Sequence, residues 1–444
     1  MKTKCFTNTR IIAVGFGIIV VIGTILLLLP VSSSDGNGAS FMTAFFTSVS
    51  ASCVTGLVVA DTSVQWSLFG QFVILLLIQT GGLGFMTIAT FFMSFAKKNI
   101  NLRNRTIMAE SINASHIAGL KNITKKIITG TLLVESIGAL ILSLRFIGDL
   151  GFTKGIWYGI FHSVSAFCNA GFDLFGIYGE FSSLINFTGD IIVNLTLMAL
   201  ITIGGIGFLV WDDLAENKLN FRKYQLHTKI VLTVSFILTF VGAILFFIIE
   251  KDNALADMTL TEKIFGSLFS SVTCRTAGFN TVDFSCLSKG TVLIMCMLMF
   301  VGGSSGSTAG GVKTTTIAVI FSYLFSSLRG ISRPVLFRRT IDNETHRKAV
   351  TVCVFNLTLI FISVILICCL DNLPLDDVLF EIFSAISTVG MTTGITRELS
   401  LVSKLIVILL MFCGRVGSIS FALALLEKKP QPPVRYPIES ITVG

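Results

Sequence analysis

Cys274 to Asn280, CRTAGFN, is a short polar segment with one glycine, set between two apolar stretches. Looser relatives recur three times: CVTGL around Gly56, CNAGF around Gly171 and STVGM around Gly390. Each follows a short amphipathic run and precedes a long apolar one. A single copy reads as a packing or turn glycine. Four copies in matching context read as four walls of one site.

The surrounding chain is built for lipid. Of 444 residues, 53% are hydrophobic and 13% charged, the latter about half the ~25% of a soluble domain. Eight runs are long enough to cross about 30 Å of hydrocarbon as helices: Ile11 to Leu29, Leu68 to Phe95, Ile123 to Leu144, Ile185 to Val210, Ile230 to Ile249, Thr291 to Ser327, Ala349 to Leu370 and Leu401 to Leu426. The first is too long for a cleavable signal, and Pro30 with the Ser/Gly stretch after it fits an extracellular turn. Basic residues gather in alternate connections, among them Lys97, Lys98, Arg103, Arg105, Arg222, Lys223, Arg338 and Arg339; Asp371, Asp376, Asp377 and Glu381 mark an opposite one. The positive-inside rule then puts both termini in the cytoplasm. The formal charge of +8 is therefore a topology signal and not a sign of nucleic-acid binding. Ten cysteines show neither metal-ligand spacing nor a disulfide framework; Cys53, Cys168 and Cys274, just before three of the glycines, suit tight packing.

The order of features repeats in each quarter: a spanning run, a half-length helix, the glycine strand, then a second spanning run. Half-length helices are expected near Phe41 to Ser52, Ile156 to Phe167, Thr261 to Thr273 and Leu375 to Ile386. Their endings, FFTSVSASCVTG, FHSVSAFCNAG, FSSVTCRTAG and FEIFSAISTVG, align by eye, the third one residue shorter. Such repeats outrank local propensity. They divide the chain into units at 1–98, 99–217, 218–330 and 331–427, with a proline-containing tail at 428–444. The expected fold is all-α: four pseudo-symmetric helix, pore loop, helix repeats around a central pore, with eight spanning helices. An irregular strand at membrane depth survives only when buried in protein or lining a water-filled path, so these strands are expected to line one.

Rings of backbone carbonyls can replace the water of a monovalent cation without trapping it, and glycine permits the backbone shape that turns carbonyls inward. Each half-length helix can aim its partly negative C-terminal end at the same cavity. The second spanning runs carry glycine clusters of their own: QTGGLGF (Gln79 to Phe85), TIGGIGF (Thr202 to Phe208), VGGSSGSTAGGVK (Val301 to Lys313) and CGRVGS (Cys413 to Ser418). The third contains a large break, Gly302, Gly303, Ser304, Ser305, Gly306, Ser307, Thr308, Ala309, Gly310 and Gly311, within membrane-grade sequence.

VTCRTAGFNT (Val272 to Thr281), GGSSGSTAGGVK (Gly302 to Lys313) and Arg415 in the last helix closely resemble motifs of the Trk/Ktr/HKT superfamily of potassium transporters, and the likeness runs along nearly the whole chain. The chain starts directly with the first repeat and ends in YPIESITVG, which is similar to the KtrB-type subunits of that superfamily. The resemblance implies potassium uptake across a bacterial plasma membrane. It further implies a homodimer, each protomer with its own pore, on a cytosolic KtrA-type ring that binds the nucleotide, with no cofactor on this chain. The filter glycines would be Gly56, Gly171, Gly278 and Gly390, and Val54, Thr55, Asn169, Ala170, Thr276, Ala277, Thr388 and Val389 would supply further carbonyls. The break at 302–311 would be an intramembrane gate below the filter. Arg415 would bond loop carbonyls or raise the barrier to cations, and Lys313 would either join it or snorkel towards the cytoplasm.

TVGYG-like sequence occurs only as TVGM in the fourth repeat, so one glycine per strand implies looser selectivity. Passive or sodium-assisted potassium uptake is expected, with a proton-coupled Trk-type or less selective sodium/potassium transporter as the alternative. Arg275 is expected to point away from the ion and pair with Asp173 or Asp283. His162, Glu135 and Asn194 are expected to make structural hydrogen bonds. No HExxH, nucleophile elbow or paired intramembrane carboxylate points to an enzyme, and four intact pore loops argue against a non-transporting assembly subunit.

Overall fold

The structure, a computed structural model, describes residues 8–84, 87, 120–218, 220–331, 334–417 and 439. Among these the regular elements are helices, apart from the two-residue antiparallel strands β1 (Val335–Leu336) and β2 (Arg339–Thr340). In chain order the helices are α1 (Asn8–Leu28), α2 (Phe41–Cys53), α3 (Thr62–Gln65), α4 (Leu68–Leu83), α5 (Leu120–Leu150), α6 (Phe152–Phe167), α7 (Ile191–Gly205) and α8 (Phe208–Asn217). Then come α9 (Leu226–Glu250), α10 (Leu260–Thr273), α11 (Lys289–Phe300), α12 (Thr314–Leu328), α13 (Asn343–Leu370), α14 (Leu375–Ser387) and α15 (Leu401–Val416).

The four half-length helices expected from sequence are present as α2, α6, α10 and α14. Polar caps set several helix starts: Ser40 accepts from Thr43 N–H before α2, and Ser67, Asp190, Ser288 and Ser400 do the same before α4, α7, α11 and α15. Thr259 and Glu262 form a full capping box on α10, satisfying two otherwise orphaned N–H groups.

Among the described residues four helices, α1, α5, α9 and α13, are each long and apolar enough to cross a membrane, or five spans if the bent pair α7–α8 counts as one. Several of the expected spans differ in detail. The run from Ile185 opens as a 3-10 turn, Ile185–Phe187, and the helix proper starts at Ile191. It then bends by 97° between α7 and α8, so it is no straight span. The run from Thr291 is interrupted between Phe300 and Thr314. The remainders of the Leu68 and Leu401 runs, most of the second connection and the C-terminal tail lie largely outside the described residues.

The long helices are apolar on both faces. On α1, Ile12, Phe16, Val20 and Leu27 are buried whereas Val14, Ile18, Val21, Ile22 and Ile25 are exposed; α9 similarly exposes Phe236, Ile237, Phe240 and Ile244. Apolar surface of this extent is what lipid covers.

Each long helix receives its half-length helix by the same device in the first three units. Ser48, Ser163 and Ser271 donate to the carbonyls of Val20 (2.8 Å), Glu135 (2.7 Å) and Thr239 (2.7 Å). Opposite each hydroxyl lies a glycine, Gly23, Gly138 or Gly242, whose added Cβ would come within 2.5, 2.7 or 2.5 Å of it. The same three glycines abut Leu77, Leu200 and Leu298 of the second helix. Small residues let helices approach in lipid, where packing and not water drives association. In the fourth unit Ile382 replaces the serine and joins an apolar cluster with Ile360 and Val407.

Gly138→Ala should therefore lower stability in detergent by about 1–3 kcal/mol through overpacking. Gly17→Ala, with nothing within 4 Å, should not; thermal unfolding of both variants checks the contrast.

Candidate functional site

The strands that follow α2, α6, α10 and α14 bring the four glycines together. A Cβ added to Gly56 would strike the carbonyl oxygen of Ala170, and one on Gly390 that of Thr55. On Gly171 it would lie 2.7 Å from the Ala277 oxygen, and on Gly278 2.5 Å from the Val389 oxygen. Each glycine thus packs on the strand of the next unit, and the fourth returns to the first. The contacts close a ring in which the second and fourth strands face one another.

The backbone of every strand has the same unusual shape. The glycines have φ of 94°, 70°, 83° and 93° in chain order, and the residues two positions before them, Val54, Asn169, Thr276 and Thr388, have φ of 56°, 59°, 71° and 51°. Thr55, Ala170, Ala277 and Val389, in between, are not left-handed. A regular strand points successive carbonyls to opposite sides; alternating hand turns them to one side. Three of the left-handed residues are β-branched, an arrangement strained enough to persist only where surroundings impose it.

Those surroundings are the half-length helices. Thr55 N–H donates to Ser50 O (2.8 Å), Ala170 N–H to Ser165 O (2.7 Å) and Val389 N–H to Ser384 O (2.8 Å). The side chains of the same serines also serve: Ser50 and Ser384 Oγ accept from Gly56 and Gly390 N–H, both at 3.1 Å, and Ser165 donates to Phe172 O at 2.7 Å. In the third unit, one residue shorter, Thr273 takes this place and donates to Phe279 O (2.8 Å). Immediately after the glycines, Leu57, Phe172, Phe279 and Met391 are each at most 1% exposed, anchoring the strands in the core. The amide of Asn169 lies 3.3 Å from Thr276 Oγ1 of the next strand.

The segment between α11 and α12 packs beside the ends of α6 and α14. Gly302 N–H bonds Val312 O (2.9 Å), which closes the segment at its base. Its outer turn bonds to the bend between α7 and α8: Ser304 N–H to Gly205 O (3.0 Å), Thr308 N–H to Gly204 O (3.3 Å), and Phe208 N–H back to Gly306 O (2.9 Å). Ser304 Oγ donates to Ile206 O, and Thr308 Oγ1 to Phe167 O at 3.1 Å. Ser307 Oγ donates to Ser304 O within the loop, and Ser305 Oγ lies 3.3 Å from Thr315 Oγ1. Gly303 packs on Ala309, Gly310 on Thr388 and Gly311 on Ser387. Arg415 donates to Thr308 O and to Gly81 and Gly82 O, the last at 2.9 Å. Lys313 Nζ bonds Ala309 O (2.7 Å) and Gly310 O (3.2 Å). The lysine therefore turns back onto the loop, and the snorkelling alternative is set aside.

Arg275 departs from expectation. It is 6% exposed and donates to Ser235 O (3.1 Å), Thr239 Oγ1 (3.2 Å) and Ser235 Oγ (2.8 Å). Its partners are thus carbonyl and hydroxyl oxygens of α9, and neither Asp173 nor Asp283; the helix of its own unit lies within closer reach. His162, Glu135 and Asn194 make structural bonds: His162 to Tyr158 O, Glu135 to Gln79 Nε2 (3.2 Å), and Asn194 to the carbonyls of Phe187, Thr188 and Asp190. The serine and threonine supports of the strands escaped the sequence reading, although the shared spacing of Ser50, Ser165 and Ser384 before their glycines was a usable signal.

Apolar helices surrounding a closed ring of glycine strands define the class, a multi-pass membrane protein. The chain belongs to the TrkH family of cation transport proteins, whose profile matches residues 3–435. It is 39% identical over 446 residues to Ktr system potassium uptake protein B of Bacillus subtilis (strain 168), covering 100% of this chain and 98% of that one. It is 38% identical over 448 residues to potassium/sodium uptake protein NtpJ of Enterococcus hirae, covering 99% and 98%. Its fold is that of the potassium transporter TrkH from Vibrio parahaemolyticus, with a TM-score of 0.71 over 96% of this chain and 86% of that one at 16% identity.

Proposed function

We propose that this chain is the membrane subunit of a potassium uptake system and that the glycine ring is its selectivity filter. The observation that carries the reading is the closure of Gly56, Gly171, Gly278 and Gly390 onto the carbonyls of one another's strands. Backbone oxygens in such a ring replace a cation's hydration shell. In this reading the chain is four pseudo-symmetric repeats with eight spans, and Val54, Thr55, Asn169, Ala170, Thr276, Ala277, Thr388 and Val389 complete the carbonyl set. The segment 302–311, held by Arg415 and Lys313, is the gate.

Regulation enters from the cytoplasmic side through a nucleotide-binding KtrA-type ring, and the protein works as a homodimer in the plasma membrane with both termini inside. The name of the Bacillus subtilis relative, a Ktr system protein, supports the presence of partner subunits. A less selective potassium/sodium carrier is the second reading, favoured by the relative named as a potassium/sodium uptake protein. Uptake in a potassium-transport-deficient strain, with sodium and pH varied separately, discriminates the two and also tests sodium assistance and proton coupling. Absence of potassium uptake under every condition would overturn both.

Gly278→Ser puts a Cβ at φ +83° and 2.5 Å from Val389 O. Left-handed strain of about 1–3 kcal/mol should reduce potassium uptake, or its discrimination over sodium, by roughly tenfold while the protein still reaches the membrane. Unchanged discrimination in competition uptake removes Gly278 from the filter.

Shortening the segment 302–311 should raise flux in the absence of the regulatory subunit. The same outcome is expected, more weakly, from Gly207→Ala, because a Cβ there lies 2.5 Å from Ser304 Oγ and displaces the loop from the α7–α8 bend. Flux that stays equally dependent on the regulatory subunit would make the segment a static break.

A further inference from the structure

One buried position recurs behind the ring. It directly precedes the serine that bonds the long helix, and is occupied by Thr47, His162 and Ser270 in the first three units and by Glu381, next to Ile382, in the fourth. All four are at most 1% exposed. In the first and third units the hydroxyls of Thr47 and Ser270 have no hydrogen-bond partner among the described residues. In the second and fourth the side chain reaches the leg of strand that leaves the ring.

His162 Nε2 accepts from the N–H of Leu174 at 3.2 Å, three residues beyond Gly171, and Nδ1 lies 2.7 Å from Tyr158 O. Because Nε2 accepts, the proton is on Nδ1, and the neutral ring uses both nitrogens. It stacks on Phe175 with centroids 4.4 Å apart, which fixes its plane. Glu381 Oε2 accepts from Thr392 Oγ1 at 2.7 Å and Oε1 from Thr396 Oγ1 at 2.6 Å. Thr392, two residues beyond Gly390, in turn accepts from Gly394 N–H at 2.9 Å. A buried, fully connected network of this kind rigidifies what it holds.

The second and fourth strands face each other across the ring. We propose that Glu381 and His162 are positioning residues for ion discrimination, bracing these two strands from behind so that the ring keeps one width along that diagonal. The first and third strands, without such a brace, are set by their neighbours. This rests on the ring being the selective element, and the test separates the two ideas.

Uptake of potassium against sodium is measured for the full-length chain in a potassium-transport-deficient strain, normalised to chain in the membrane. Glu381→Ala and His162→Phe, the latter keeping the ring stack but losing Nε2, should each lower the potassium-to-sodium ratio about fivefold or more. Glu381→Gln keeps one acceptor oxygen and should fall less. Thr47→Val and Ser270→Ala remove hydroxyls that hold nothing and should keep the parent ratio. A merely structural role would reduce uptake of both ions together, so parent ratios in Glu381→Ala and His162→Phe overturn the proposal, as does an equal loss of ratio in the two hydroxyl controls. Should Glu381→Ala fail to accumulate, Thr392→Val combined with Thr396→Val breaks both contacts from the strand side, and an unchanged ratio there is equally decisive. Gly390→Ser is measured alongside. If it lowers the ratio and the brace variants do not, only the brace is overturned; if it leaves the ratio unchanged, the ring is not selective and both readings fall.

Discussion

Four stretches of irregular backbone share one small volume among membrane helices, and the rest of the structure follows from how they are accommodated. Each peptide group there must find a protein partner or face water, because lipid supplies none. The close approach of each glycine to the next strand's carbonyl leaves no room for a side chain. The left-handed Val54, Thr276 and Thr388 would relax elsewhere. They keep their shape because the residues after them are bonded to the ends of the half-length helices and because the next apolar side chain is locked in the core. Strain is thus local, and its compensation is spread over four helices.

Departures from four-fold likeness concentrate in the third unit. Gly81, Gly204 and Gly414 each pack on the carbonyl four residues before their own unit's ring glycine, those of Ser52, Phe167 and Ile386. In the third unit the second helix stops at Phe300, and Gly302 meets Gly310 O of its own loop. The loop bonds to the bend of the second unit and, through Arg415, to helices of the first and fourth. One broken helix is therefore linked to every other unit, to the first through Arg415.

Much of this was legible in the residues. The half-length helices fell within a few residues of their expected limits, and the extent of the 302–311 break matched its run of glycines and hydroxyls. What a linear pattern could not convey was direction. TIGGIGF announces weak helix but not a 97° bend, since glycine permits many geometries and packing chooses one. Arg275 was expected beside an acid because charge invites charge; three oxygens on α9 lay closer and left it buried without an ion pair among the described residues. The serine contacts needed knowledge of which helix stands opposite, although the spacing of Ser48, Ser163 and Ser271 was present in the sequence.

The two kinds of backbone also differ in what it costs to rearrange them. Moving a ring strand would uncover Leu57, Phe172, Phe279 or Met391 and break its bonds to the helix-end carbonyls. The loop is held mainly by backbone bonds to Gly204, Gly205 and Ile206, groups freed by the break in α7–α8. Where water reaches them, those carbonyls and the loop's own hydroxyls can bond to it with little net loss. Opposing apolar anchorage is slight, since the loop's side chains are hydroxyls, a methyl and hydrogens. The same chain thereby holds a tightly anchored ring of strands and, directly beside it, a more easily displaced loop.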